Sequence, residues 1–444
     1  MKIGIDAIAF DVAALHLPIA ILAQHRNIDP DKLEKGLGLL KMTFPDTHQD
    51  PVVFAANALT KLVENHDIDF KTISRIYVGT ESGIDNSKPI ASFVSALMEQ
   101  KFGADVLRQC DVVDFTFACI GGVDALQNCF DYIRLHPQKQ AIVITTDIAK
   151  YDLESGGEYT QGAGAVAMLV KADPRIIAFD PIWTTDSKGL FDFFKPYRSI
   201  SKTQITGNNE NLEWQGQLEA HVEIHKDQPV FDGHYSNQCY IDRTRGAYFA
   251  FKKEIGFHGA LYQSWENIIM HLPYSFQGRR MLSEIYALDS DANFDSADLK
   301  AVAKSEGYQA FVAQKLAPAE KASSLVGNLY TGSIFMALLS TLAVHLDNDS
   351  EIVGSKFGFL AYGSGSKSKV FQGEIQPQWK LALEKVKLFE TSALSQEMDF
   401  DTYETLHKKE RVKSVRAPQR EWTLDRIETE IPTLIGARYY KWID

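Results

Sequence analysis

The sequence is poor in cysteine and lacks the spacings that most cysteine chemistry requires. Its 444 residues include only Cys110, Cys119, Cys129 and Cys239. No two of them form a C-x-x-C pair and their spacing is irregular, which excludes a disulfide framework and a zinc ribbon. A chain with so few cysteines is typical of a reducing compartment, so we expect a cytoplasmic protein.

Long hydrophobic runs and blocks of basic residues are also missing. The most apolar stretch, residues 333–346, is too short to cross a bilayer and predicts a buried helix. Asp6 and Asp11 interrupt the apolar N-terminal segment and no small-residue cleavage site follows it, so it does not resemble a signal peptide. With a net charge of −12 and no cluster of lysine or arginine, neither nucleic acid nor an anionic membrane is an expected partner.

What the sequence does contain is an alternation of strand and helix patterns, which predicts an α/β layered fold. In the first half, strands are predicted at 2–10, 110–119 and 140–149, a strand followed by a loop at 73–82, and a glycine-rich loop that leads into a strand at 160–172. Helices are predicted at 51–66, 91–103 and 121–137. In the second half, we predict a helix at 248–265, a strand at 267–273, a loop and helix at 326–346, and a strand hairpin at 356–375.

The repeated pattern predicts two related halves that face each other. We place them at residues 1–171 and 172–444. Residues 199–228 are polar and weakly periodic, and we interpret them as a surface excursion or a dimer-edge element. The tail after Leu388 is charged, and its last residues are expected to fold back onto the body.

Cys119 lies at a predicted strand-to-helix corner, in the stretch VVDFTFACIGGVDAL (residues 112–126). Gly121 and Gly122 allow backbone and ligand to approach closely, and the start of a helix favours a thiolate. These features are typical of a nucleophile. The alternative is a small buried hydrophobic residue, which is the commoner environment of a free cysteine.

Three other segments hold groups that are suited to catalysis. Glu81 follows a predicted strand in a glycine-containing loop, and His271 ends an apolar strand just before Pro273. The turn AYGSGS (residues 361–366) offers backbone N–H groups to a developing oxyanion. Each has an ordinary alternative, namely an exposed loop carboxylate, a satisfied core histidine and a hairpin turn.

The order of such segments along the chain is more specific than any one of them. The segments are GTESGID, ACIGG, TTDIAKYDLESGGEYTQGAGAVAML, FDGHYSNQCY, MHLPYSFQGRR, GNLYTGS and YGSGS. Together they resemble the 3-hydroxy-3-methylglutaryl-CoA synthase family, and most of all its bacterial mevalonate-pathway members. The resemblance covers nearly the whole chain. It implies a thiolase-like fold, with two similar halves in a layered αβαβα arrangement, and a homodimer.

The resemblance also implies a reaction and a set of site residues. Such an acyltransferase condenses acetyl-CoA with acetoacetyl-CoA and water to 3-hydroxy-3-methylglutaryl-CoA plus CoA, in isoprenoid biosynthesis, without a metal or other cofactor. Cys119 matches the nucleophile that becomes acetylated, Glu81 the general acid/base, and His271 the residue that anchors the acetoacetyl-CoA thioester. The positions that match substrate contacts are Asp29, Thr160, Ser236, Arg280, Asn328 and Ser364.

The sequence departs from the family near both the nucleophile and the CoA site. Ile120 and Val123 stand where the family usually has an aromatic residue and a threonine, so we expect an altered acyl pocket. Phe276 stands where the family often has a lysine that meets CoA. We expect Arg279 and Arg280 to take over the phosphate contacts, because arginine binds phosphate in a forked geometry.

Two other functions are compatible with the same residues. A β-branching synthase that acts on carrier-bound polyketide intermediates would retain Glu81, Cys119 and His271 but accept an acyl-carrier protein. A non-catalytic binding protein of the same fold would leave Cys119 as a buried hydrophobic residue. A simple ketoacyl synthase or thiolase is disfavoured, because the apparent base here is a glutamate.

Overall fold

The computed structural model describes residues 1–207, 219–290 and 299–444. Its strands are β1 (Ile3–Val12), β2 (Leu15–Pro18), β3 (Lys41–Phe44), β4 (Ile73–Gly79), β5 (Asp111–Phe115), β6 (Gln140–Ala149), β7 (Gly162–Ala172), β8 (Ile177–Phe179), β9 (Thr184–Ser187), β10 (Phe193–Phe194), β11 (Arg198–Ser201), β12 (His221–Ile224), β13 (Val230–Phe231), β14 (Asn267–Met270), β15 (Lys356–Gly363), β16 (Lys367–Ile375), β17 (Gln396–Glu397), β18 (Glu421–Ile427) and β19 (Arg438–Ile443).

Its α-helices are α1 (Ile19–His25), α2 (Pro30–Leu37), α3 (Pro51–His66), α4 (Ile90–Phe102), α5 (Gly121–Leu135), α6 (Lys202–Thr206), α7 (Gly233–Glu254), α8 (Gln277–Leu288), α9 (Leu299–Lys304), α10 (Glu306–Lys315), α11 (Ala317–Val326), α12 (Ser333–Asp347), α13 (Trp379–Leu383), α14 (Leu388–Ser392) and α15 (Phe400–His407). Short 3-10 turns occupy Phe70–Thr72, Glu158–Thr160, Leu261–Ser264 and Tyr330–Gly332. No helix in these described ranges is long and apolar enough to cross a membrane.

The main sheet consists of two similar halves joined edge to edge. Its strand order is β14-β15-β16-β8-β1-β7-β6-β4-β5. In each half the last two strands pair antiparallel (β6 with β7, β15 with β16), and the first strand pairs with the last (β1 with β7, β8 with β16). Antiparallel pairing of β1 with β8 joins the halves. The predicted α/β fold of two similar halves is confirmed, whereas the boundary between residues 171 and 172 stays a prediction.

Alternating side chains place helices on both faces of the strands. On β4, Ile76 and Val78 pack in one core cluster with Phe54 of α3, whereas Tyr77 packs in the other with Val123 of α5. β4 is buried from Ile76 to Gly79, and a segment that is buried on both faces is expected to be apolar. Helices therefore cover both faces of this strand.

Glycines bring the end of β4 against the start of α5. A Cβ atom on Gly79 would lie 2.3 Å from the backbone of Gly122, so only glycine permits this approach. Glu81 follows Gly79 by two residues and Cys119 precedes Gly122 by three. The close backbone contact therefore brings the loop that carries Glu81 next to the corner that carries Cys119.

Two predicted elements differ most from the observed ones in their bounds. The strand predicted at 110–119 ends at Phe115, because the chain turns sharply near Ala118, whose φ is 41°. The helix predicted at 248–265 belongs to α7, which starts at Gly233 and ends at Glu254. It cannot continue because Gly256 and Gly259 adopt positive φ angles of 63° and 86°.

The tail and the polar excursion are partly ordered by strand pairing. In the tail, β18 pairs antiparallel with β19, and the fully buried Trp422 donates from its ring N–H to Thr60 of α3. The prediction that the tail folds back is therefore confirmed. In the excursion at 199–228, β11 pairs with β12, and residues 208–218 lie outside the described residues.

Candidate active site

A cavity of about 490 Å³ opens between the two halves of the fold. The sequence-predicted residues that line it are Cys119, Thr160, Ser236, His271, Arg280, Asn328 and Ser364. Glu81 reaches this site through its contact with Cys119. Asp29 does not line the cavity; its carboxylate caps α2 by accepting the Asp31 N–H at 3.1 Å. The fold thus gathers eight of the nine predicted residues from distant parts of the sequence.

The nucleophile candidate and the acid/base candidate are in direct contact. The Cys119 thiol donates to Oε1 of Glu81 at 3.1 Å, and Cys119 is 8% exposed. Burial and the adjacent Glu81 raise the pKa of the Cys119 thiol well above its ordinary value. The thiolate expected from the helix start is therefore not the resting form, because desolvation outweighs the helix dipole here. The thiol must lose its proton during attack.

Asp147, which sequence reasoning missed, supports Glu81 from behind. Its buried carboxylate accepts the backbone N–H of Glu81 at 2.9 Å, the Thr80 hydroxyl at 3.1 Å and the Thr331 N–H at 3.0 Å. The Thr331 hydroxyl donates to it as well. Burial, followed by the charge of Glu81, raises the pKa of Asp147 to about 7. An aspartate inside the buried strand QAIVITTDIA was the available signal.

His271 comes to the cavity from the second half of the fold. It is 2% exposed, and burial lowers the pKa of its imidazole to about 3, so the ring is neutral. Its Nδ1 atom has no hydrogen-bond partner within the described part of the chain. The Tyr240 hydroxyl donates to its backbone carbonyl at 2.7 Å and helps to fix its position. A neutral imidazole with a free ring nitrogen can donate to, or accept from, a ligand.

Asp192 organises the turn that carries Ser364. This buried carboxylate accepts the Gly365 N–H at 2.7 Å and the Tyr362 hydroxyl at 2.5 Å. The ring of Tyr362 stacks on Tyr240 at 4.3 Å. One wall of the cavity is therefore rigid where it meets the ligand.

Aromatic side chains surround the sulfur. Tyr151, Tyr330, Phe193 and Phe231 have ring centroids 5.7–6.5 Å from one another in the contacting pairs. Cys119 packs in the same cluster. Such rings exclude water and strengthen the electrostatic interactions inside the site. They come from four separate segments, so no local sequence pattern marked them.

The sequence profile described as Hydroxymethylglutaryl-coenzyme A synthase N terminal matches residues 1–174, and the one described as its C terminal matches residues 277–415. Hydroxymethylglutaryl-CoA synthase of Enterococcus faecalis is 33% identical over 387 residues, which cover 87% of this chain and 86% of that relative. The chain belongs to the hydroxymethylglutaryl-CoA synthase family. It is thus an acyl-transferring condensing enzyme, as the motifs predicted.

Other hydroxymethylglutaryl-CoA synthases are similar to this chain in sequence and in structure. The enzyme of Haloferax volcanii is 30% identical over 437 residues, with 91% of both chains covered. The solved structure of MvaS in complex with 3-hydroxy-3-methylglutaryl coenzyme A superposes with a TM-score of 0.84 at 28% identity, covering 100% of this chain and 99% of that one. The HMG synthase of the curacin biosynthetic pathway superposes with a TM-score of 0.81 at 21% identity, with 100% of both chains covered, which shows the shared fold.

Two departures from the hydroxymethylglutaryl-CoA synthase pattern follow the nucleophile. Ile120 and Val123 are fully buried in the core and are not among the residues that line the cavity. Ile120 packs so tightly on Gly363 that a Cβ there would lie 2.7 Å from its methyl group. The expectation that the loss of a ring and a hydroxyl at these positions alters the acyl pocket stays a prediction.

Of the two arginines that were predicted to bind phosphate, one pairs with a carboxylate and the other forms no ion pair among the described residues. Arg279 is held by two hydrogen bonds to Glu320, at 2.6 and 2.7 Å, and stacks on the ring of Phe276 at 3.6 Å. Arg280 lines the cavity, is exposed, and forms no ion pair with any described carboxylate. A phosphate contact of both arginines stays a prediction, and the paired Glu320 carboxylate makes Arg280 the better candidate.

No cluster of three or more His, Cys, Asp or Glu suited to a metal ion occurs in the portion of the chain that the structure describes. The polar groups that line the cavity are a thiol, hydroxyls, amides, two imidazoles and one arginine, a set that suits a thioester with a phosphorylated carrier better than a metal. The expectation that the reaction needs no cofactor stays a prediction.

Proposed function

We propose that this enzyme condenses acetyl-CoA with acetoacetyl-CoA and water, giving 3-hydroxy-3-methylglutaryl-CoA and CoA through an acetyl-Cys119 intermediate. The supporting observation is the contact of 3.1 Å between the Cys119 thiol and Oε1 of Glu81, in a cavity that His271 enters from the other half. Family membership supports the same reaction in the mevalonate pathway.

In the first step the acetyl group moves from CoA to the enzyme. The Cys119 sulfur bonds to the acetyl carbonyl carbon while its proton passes to Oε1 of Glu81. The bond between that carbon and the CoA sulfur then breaks, and Glu81 returns the proton to the departing CoA. A base in contact with the thiol is needed because burial holds the thiol in its neutral form.

In the second step a carbon–carbon bond forms. The Glu81 carboxylate removes a proton from the methyl group of acetyl-Cys119, and the resulting carbanion attacks the ketone carbon of acetoacetyl-CoA. Protonated Glu81 then gives its proton to the new alkoxide. His271 is neutral, and we assign its imidazole to hydrogen bonding with the acetoacetyl-CoA thioester.

Hydrolysis releases the product and restores the enzyme. Water attacks the thioester carbonyl on Cys119, the carbon–sulfur bond breaks, and the sulfur regains a proton. One acetyl-CoA, one acetoacetyl-CoA and one water thus give one 3-hydroxy-3-methylglutaryl-CoA and one CoA. We assign the CoA phosphates to Arg280 at the cavity, and substrate positioning to Thr160, Ser236, Asn328 and Ser364.

A homodimer in the cytoplasm is also part of the proposal. At one end of the main sheet, β5 pairs with β4 on one side only. An open strand edge can pair with a second copy of the same chain. The four cysteines are free, as a reducing compartment requires. Sedimentation of the purified protein, which we expect to give the mass of two chains, tests the assembly.

The test of the reaction is mass spectrometry after brief incubation with acetyl-CoA. We expect wild-type protein and the Cys129→Ser control to gain the mass of one acetyl group, and Cys119→Ser to gain none. Cys129 is also buried but lies inside α5, away from the cavity. Addition of acetoacetyl-CoA should then discharge the adduct into product. An adduct formed only from an acetylated carrier protein would show the β-branching function instead, and no adduct from either donor would contradict both.

A further inference from the structure

Lys195 lies inside the site, although the sequence analysis assigned it no role. It follows the strand β10, which β13 pairs with, and its side chain is 14% exposed. Its Nζ atom lies 3.4 Å from Oε2 of Glu81 and donates to the Glu81 backbone carbonyl at 3.2 Å. It also lies 4.5 Å above the ring of Tyr330.

The two carboxylate oxygens of Glu81 have different partners. Oε1 accepts from the Cys119 thiol, whereas Oε2 faces the Lys195 ammonium. A carboxylate rotates about its last bond with little resistance, so the ion pair helps to fix its orientation, with one oxygen near the ammonium and the other facing the sulfur. In the proposed reaction, the same Oε1 atom must move protons to and from the substrates.

The charge balance around Glu81 also depends on Lys195. The titratable groups that face the pair are Cys119 at the start of α5, Asp147 on β6, and Tyr151 and Tyr330 from the aromatic wall. Each of them adds negative charge when it ionises. Among the described residues, Lys195 is the only cation that forms an ion pair with either carboxylate of the site.

We propose that Lys195 is a positioning residue, which holds one oxygen of the Glu81 carboxylate so that the other faces Cys119 and the substrates. The inference rests on the proposed function, in which that second oxygen passes protons to and from the substrates. Arginine at this position would keep the charge, whereas methionine would keep the length and lose the charge.

The test compares Lys195→Met, Lys195→Arg and the control Lys188→Met. Lys188 is exposed on the same segment, so its removal subtracts an equal charge without touching Glu81. For each protein, kcat, both KM values and the acetylation rate of Cys119 are measured. We expect Lys195→Met to lower kcat and the acetylation rate by about tenfold to a hundredfold. Both KM values should be unchanged, and Lys195→Arg should restore most of the lost rate.

Three outcomes would overturn the inference while leaving the proposed function intact. They are a Lys195→Met enzyme with the kcat and acetylation rate of wild type, an equal loss of rate in Lys188→Met, and a Lys195→Arg enzyme that is as slow as Lys195→Met. Thermal melting checks folding, and Lys195→Gln is measured in the same way if the methionine variant does not fold. Failure of the proposed function looks different, because wild-type protein would then form no acetyl adduct.

Discussion

A buried ion pair behind the cavity leads to a prediction whose size follows from the structure. Arg26 donates from its guanidinium to both carboxylate oxygens of Glu158, at 2.8 and 2.9 Å, and to Glu404 at 3.0 Å. The Glu158 side chain is 2% exposed and also accepts the Tyr403 hydroxyl at 2.9 Å. The contacts connect the end of α1, the 3-10 turn that carries Thr160, and α15.

Replacing Arg26 with methionine leaves the Glu158 carboxylate buried without its cation. Removing one partner of a buried ion pair costs about 3–5 kcal/mol. We expect the lower end, about 3 kcal/mol, because Glu158 keeps the Tyr403 hydroxyl and the Glu154 N–H at 2.7 Å. The double variant Arg26→Met/Glu158→Gln should recover part of the loss, since its buried amide carries no charge.

Urea unfolding monitored by tryptophan fluorescence measures this change in the free energy of unfolding. The control is Lys35→Met, which breaks an exposed pair with Asp31 and should have little effect. The same variants are assayed for activity, where displacement of the Thr160 turn should raise KM. The reasoning is refuted if Arg26→Met unfolds within about 1 kcal/mol of wild type, or if the double variant is no more stable than Arg26→Met.

Two further predictions concern the cavity and the pH dependence of stability. Arg280→Ala should raise KM for both CoA substrates about tenfold with kcat retained, because a charge-assisted hydrogen bond to phosphate is lost; steady-state kinetics with unchanged KM values would contradict this. Burial lowers the pKa of His407 from 6.5 to about 4, so the unfolded chain binds its proton first and stability falls as pH drops through that interval. In His407→Gln, which keeps a donor for the Tyr151 carbonyl, urea midpoints should fall less steeply between these pH values, and an equal slope would refute the assignment.

Local sequence patterns predicted much of the fold and identified the central residues of the site. Strand and helix periods predicted most strands of the main sheet, and glycines after Cys119 predicted the start of α5. Glu81, Cys119 and His271 were recognised through the wording of three short segments, and the structure brings all three to one site. Such features can be predicted from the sequence because each depends on residues that lie close to it along the chain.

Local sequence patterns could not predict contacts between segments that are distant along the chain. The pairing of Glu81 with Lys195 joins residues 114 positions apart, and the support from Asp147 crosses 66 positions. The pairing of Arg279 with Glu320 could not be predicted either, because Glu320 lies 41 positions away. Asp29 was predicted to contact the substrate. It is instead the N-cap of α2, and the proline that follows it at the first helical position is a local capping pattern.

The sequence by itself determined the alternating elements, the chemical types available for catalysis and the family to which they belong. Tertiary structure alone decided that Oε1 of Glu81 faces the thiol while Oε2 faces Lys195, that Ile120 points into the core, and that burial keeps the thiol protonated. The physical reason is that side-chain period depends on the local backbone. Charge pairing and desolvation depend instead on which surfaces meet when the chain packs.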